Sequence, residues 1–165
     1  MGYDEKIFKA KANIKARRLW LVFAILLTAN YGTDTANGAY SVSNYIIFVI
    51  LCWLSFVCGD ILLKKKGKDN DHYRLAFVIG YGIFYVFLLC TTTSPIAFTY
   101  ILPIISLIVI FKDEKFMIYC AVANMLSLIA SIAFHIFVLG QNTAIDHKNF
   151  QLQIACLLLC YIGYI

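Results

Sequence analysis

Charge is what this 165-residue chain has least of. Asp, Glu, Lys and Arg make up 14% of it and apolar residues 62%, where soluble domains hold about 25% charged and about 45–50% apolar residues. That shortage excludes an ordinary globular domain and a disordered tail together. Catalytic signatures are missing as well. No paired-glutamate motif, HExxH or GxSxG falls within an apolar run, so nothing here points to an intramembrane enzyme, a metal or a cofactor. His135, Asp146 and His147 do not have metal-ligand spacing. No inverted internal repeat of the transporter kind is present. The six cysteines (Cys52, Cys58, Cys90, Cys120, Cys156, Cys160) all lie inside apolar runs, where they read as small buried hydrophobes and not as a disulfide or zinc framework.

What is present is hydrophobic length. Mean hydropathy is +0.80, and a bilayer crossing needs about 20 mostly apolar residues. Residues 44–63 supply one crossing, with Asp60 as its only acidic group. Leu75–Phe111 contains no charge over 37 residues, about 56 Å as a single helix and nearly twice the hydrocarbon core. It must fold back on itself. The break lies at Thr91-Thr92-Thr93-Ser94-Pro95, where hydroxyl-to-backbone bonding and a proline disfavour helix, giving crossings at 75–92 and 95–111. Residues 116–139 form a fifth crossing and 150–165 a sixth, the latter cut short with a cytoplasmic output domain expected beyond it. The first crossing, 17–33, has the shortest apolar core and reads as a signal anchor, with a cleavable signal peptide as the alternative. Arg17, Arg18 and Trp20 are expected to anchor it at one interface. Residues 1–18 form a basic cytoplasmic segment that suits an interfacial helix. The expected fold is all-α: a polytopic integral membrane protein, a bundle of six transmembrane helices spanning 19–165.

Orientation follows from where the basic residues sit. Of 14 Lys and Arg, 13 precede the first crossing or occupy the second and fourth loops, and only Lys148 falls on the other side. Basic loops stay inside, so both termini are expected in the cytoplasm of a bacterial cell, with the bilayer as partner. The net charge of +5 then marks topology and phospholipid headgroups, not nucleic acid.

Polar groups within crossings are costly and therefore informative. Asp60 lies four residues before Lys64, the spacing of an interfacial ion pair. On the fifth crossing Cys120, Asn124, Ser127, Ser131 and His135 fall within an arc of roughly 80° at 100° per residue. Such a face looks into a bundle, either as hydrogen-bonding helix glue or as one wall of an outward-opening cavity. Thr92, Tyr100 and Asp34 reach the same depth and complete a candidate ligand site with His135, Ser131 and Asn124. Pro103 would kink the fourth helix and open the pocket, and a histidine with an ordinary pKa near 6.5 would respond to external pH. Gly59, Gly80 and Gly82 read as close-packing positions.

Several stretches together carry a family likeness: Arg17-Arg18-Leu19-Trp20, the basic run 64–69, Gly80-Tyr81-Gly82-Ile83-Phe84-Tyr85, the turn 91–95, Tyr100-Ile101-Leu102-Pro103, and 153–156 with 160–164. This pattern resembles the amino-terminal membrane region of methyl-accepting chemotaxis proteins of the anaerobic Firmicutes type. The resemblance implies a sensory domain that relays a stimulus through the sixth helix to a histidine kinase complex, as a homodimer or higher oligomer. It implies no ligand-binding residues. A small transporter or channel using the polar face of the fifth helix is the alternative.

Overall fold

Helix initiation and termination in this chain are set by a few side chains that satisfy the backbone groups each helix end leaves open. The computed structural model describes residues 2–92, 94 and 97–164. Thr93, Pro95 and Ile165 therefore lie outside the described residues. The described chain is α-helical, with no strand, and runs α1 (Gly2–Ala36), α2 (Val42–Lys66), α3 (His72–Thr91), a short segment at Ala97–Phe111, α5 (Glu114–Phe137) and α6 (Ala144–Tyr164), with α4 (Leu102–Ile108) inside the short segment. Ser41 caps α2 by accepting from the Asn44 amide, and Asp113 caps α5 by accepting from the Phe116 amide. Asn70 accepts from the His72 amide at the start of α3. Gly67, at φ 92°, turns the chain out of α2 while its N–H bonds the Leu63 carbonyl, a conformation that favours glycine. Among the described residues three helices are long and apolar enough to cross a membrane: α2, α3 and α5.

Two compact units divide the chain, Met1–Phe84 and Tyr85–Ile165, the boundary falling within α3. In the first, α1 is continuous over 35 residues, about 52 Å. The basic segment expected to end at residue 18 runs without a break into the apolar residues that follow. The reason is a buried stripe at Ala12, Asn13, Ala16, Trp20, Ala24 and Tyr31 that passes through the expected boundary at helical spacing, so one packing face holds both halves. Trp20 is fully buried within this unit. It lies edge-on to Phe56 and Phe77, centroids 5.6 and 5.1 Å away. A Cβ on Gly59 would come within 2.7 Å of its ring, and one on Gly80 within 3.0 Å. These two glycines form the slot that admits the indole. Gly82, by contrast, has open space beside it and is not a packing position. Further along α1, Tyr31 stacks between Tyr40 and Phe48, at 4.4 and 4.6 Å.

In the second unit, the segment expected as a crossing at 95–111 is a 3₁₀ turn over Ala97–Ile101, the seven-residue α4, and a second 3₁₀ turn over Val109–Phe111. At about 2.0 Å per 3₁₀ residue and 1.5 Å per α residue it is about 27 Å long. Pro103 does not kink a helix interior. It occupies the first turn of α4, where its missing N–H costs no intrahelical bond. The helix expected from residue 150 starts six residues earlier, at Ala144. Thr143 and Asp146 account for this. The Asp146 carboxylate accepts from the Thr143 amide and hydroxyl, and the Thr143 hydroxyl accepts from the Asp146 amide, a reciprocal cap ahead of a polar first turn. Among the cysteines, Cys52 and Cys120 are buried, but Cys58 is exposed on α2 and departs from the expected pattern.

Candidate functional site

The residues buried on α5 are Phe116, Met117, Cys120, Ala121, Asn124, Leu128, Ser131 and His135. That is the arc read from the sequence with one exception. Ser127 is half-buried, and its hydroxyl turns back onto the Ala123 carbonyl of its own helix. At the C-terminal end of this face, within the Tyr85–Ile165 unit, a cavity of about 50 Å³ opens beside His135 and Ser131. Leu89 and Thr92 from the end of α3 line it, with Phe98 from the turn that follows, Gln141 from the α5–α6 connector, and Asp146, Phe150 and Gln153 from α6. Exposed Ser94 and half-buried Asn149 stand at its rim.

His135 is held from both sides. Its Nε2 lies 2.7 Å from the Leu89 carbonyl oxygen, and its Nδ1 2.9 Å from Gln141 Oε1. The connector is also tied to α5 through its backbone, because the Gln141 N–H donates to the His135 carbonyl. Gly140, at φ 68°, makes the left-handed turn that brings Gln141 back over the helix end. Ser131 lies within hydrogen-bonding reach of the Cys90 thiol. The Asp146 carboxyl is held below the usual carboxylate range, first by the Thr143 hydroxyl and amide, then by the positive fields of His147 and His135. Tyr85, one turn before Leu89, is buried and donates its hydroxyl to the Phe98 carbonyl, which braces the turn that roofs the cavity.

The candidate site residues separate accordingly. His135, Ser131 and Thr92 share the cavity. Asn124 lies deeper on α5 and donates to the Tyr161 hydroxyl at 3.1 Å, while its Oδ1 is buried without a partner. Tyr100 is half-buried in the 3₁₀ turn and outside the lining. Asp34 belongs to the Met1–Phe84 unit, near the end of α1, and is not part of this site. Sequence reasoning missed Gln141 and Gln153 as lining residues. The Gly140-Gln141 pair after an apolar helix was the available signal for the first. The Thr143-x-x-Asp146 spacing marked where α6 begins and so which of its residues face inward.

In the other unit, Asp60 and Lys64 do pair, at 3.0 Å, and Arg17 donates to the second oxygen of the same carboxylate. Asn13 closes this end by donating to the Lys68 and Asn70 carbonyls at 2.8 and 3.0 Å. Lys9 bridges Glu5 and Asp71. Among the described residues no group of three or more His, Cys, Asp or Glu side chains is arranged to hold a metal ion. No family model, curated protein or solved structure matches the chain.

Proposed function

We propose that the chain is the sensory membrane domain of a signalling receptor of the chemotaxis type. It crosses the bilayer six times with both ends in the cytoplasm and acts on a histidine kinase complex through α6, as a dimer or higher oligomer. One observation carries this reading: the polar cavity is walled by α5 and α6 together, and the ring of His135 grips the connector between them. An occupant that fits one α5–α6 arrangement better than another shifts the population of α6 positions, which is the small displacement a receptor helix transmits. The basic residues, concentrated in alternate loops, support the orientation.

A transport path is favoured less. On α5 the lining ends at Ser131. Below it, Ser127 and Asn124 are bonded to their own helix and to Tyr161, so the polar face does not continue as a water-lined route. Two measurements test the proposal. Crosslinking in native membranes is expected to recover a histidine kinase with the chain, and proteoliposomes containing it are expected to show no proton or sodium flux. Flux without any kinase association overturns the proposal.

A further inference from the structure

The cavity limits what it can recognise. About 50 Å³ is well below the about 150 Å³ in which an apolar protein cavity holds benzene, and corresponds to roughly three to five waters. Two lining groups can change protonation state, Asp146 and His135; the Asp146 carboxylate is engaged by Thr143, and the His135 ring is the one held between two other segments. The Leu89 carbonyl can only accept, so Nε2 carries a proton while that 2.7 Å contact stands. Nδ1 is then the nitrogen that gains or loses one. As oriented, Gln141 presents Oε1 to Nδ1 at 2.9 Å. An oxygen there accepts, which requires Nδ1–H and therefore an imidazolium. A neutral ring has a lone pair at Nδ1, and the contact survives only if the Gln141 amide turns over to donate from Nε2.

We propose that the ligand of this site is the proton, bound at His135 Nδ1 and passed to the α5–α6 connector by reversal of the Gln141 amide. The inference rests on the sensory reading and specifies its stimulus. The proton arrives from a hydronium ion through the cavity from the rim at Ser94 and Asn149: one O–H bond of the hydronium breaks, one N–H bond forms at Nδ1, and water leaves. Protonation leaves the Gln141 amino group directed away from the ring, and deprotonation leaves its carbonyl there, so the connector offers its surroundings a donor in one state and an acceptor in the other. The charges facing His135 are few. Among the described residues Asp146 on α6 is the only carboxylate lining the cavity, and His147 lies beside it on the same helix. From α3 the titratable neighbour is the Cys90 thiol, within hydrogen-bonding reach of Ser131. Thr92, Ser94, Ser131 and Gln153 are neutral. Gln141 tells the two states apart.

The test uses the full chain in lipid nanodiscs with ¹⁵N-labelled histidine and glutamine, followed by NMR from pH 5 to 8. The signals of His72 and His147 are assigned with His72→Gln and His147→Gln. The expected result is that Nδ1 of His135 titrates while Nε2 stays protonated, and that the Gln141 side-chain amide shifts with the same midpoint. Gln141→Glu, whose carboxylate can only accept, is expected to move that midpoint upward by about one pH unit or more. A neutral ring protonated at Nδ1, no titration across the range, or a midpoint unmoved in Gln141→Glu overturns the proposal. None of these signals depends on kinase coupling, so failure of the receptor reading would register in the crosslinking and not here.

Discussion

The two units treat buried polarity in opposite ways. In Met1–Phe84 the interior is filled with aromatic rings around Trp20, and the Trp20 indole N–H and Tyr73 hydroxyl are buried without partners. Its charges collect at one end, where Arg17 and Lys64 converge on Asp60. In Tyr85–Ile165 polar side chains enter the interior itself, and a cavity remains open among them. A close-packed core has one arrangement and resists displacement. A cavity bordered by hydrogen-bonding side chains leaves its lining more room to rearrange.

The largest expected effect lies in the packed unit. Trp20→Ala should lower stability by about 3–5 kcal/mol, as truncation of a buried aromatic does. Gly59→Ala should cost about 1–3 kcal/mol, because the new methyl meets an indole that its neighbours prevent from moving. Thermal unfolding in nanodiscs measures both, and a neutral Gly59→Ala would show that the slot is looser than 2.7 Å implies. Asp60→Asn comes next. Its carboxylate is half-buried and accepts from two cations that are themselves more exposed, so the loss should be about 1 kcal/mol, at the upper end of what an exposed interfacial pair gives. Equal stability of the variant would return Asp60 to that simpler role.

In Tyr85–Ile165, Asn124 and Tyr161 permit a sharper comparison. Asn124→Leu and Tyr161→Phe should each cost about 1–2 kcal/mol by stranding the other partner, while the double variant should cost less than the two together by about 1 kcal/mol. Additive losses would mean that the pair is not coupled. Gly82→Ala should be neutral or stabilising by up to about 1 kcal/mol, since its side chain enters open space within a helix. This serves as the control for Gly59. The smallest effect concerns pH. Asp146 is held below its ordinary value by its cap, so its contribution to α6 is present above the unfolded carboxylate pKa of about 3.9 and is lost as pH falls through the folded value. Helicity of the first turn of α6 by hydrogen exchange should decline only in that acidic window. Loss near neutrality would point to a different group.

Much of the candidate site was legible because α5 has a single periodicity. Cys120, Asn124, Ser131 and His135 fall on one face whatever surrounds them, and burial follows that face. Ser127 departs from it because a serine in a helix can satisfy its hydroxyl on the carbonyl four residues back. Thr92 was recognisable from its depth, but Tyr100 and Asp34 were not excluded by depth alone. Whether residues at one level share a cavity depends on how the backbone turns, and the 3₁₀ geometry at Ala97–Ile101 is a tertiary outcome. The helix count followed from hydrophobic length. The start of α6 did not, because a capping pair extended the helix into a polar stretch that hydropathy assigns to a loop.

What the sequence alone determined is the all-helical class and the apolar faces of α2, α3 and α5, since both follow from residue type and a 3.6-residue period. Only the tertiary structure decided that Trp20 is a core residue slotted between Gly59 and Gly80, that Pro103 starts a helix and does not bend one, and that Gln141 faces His135. The Trp20 slot depends on packing between segments distant in the chain, and the other two depend on how the backbone turns locally, at the 3₁₀ segment before α4 and at Gly140, which residue type alone does not fix.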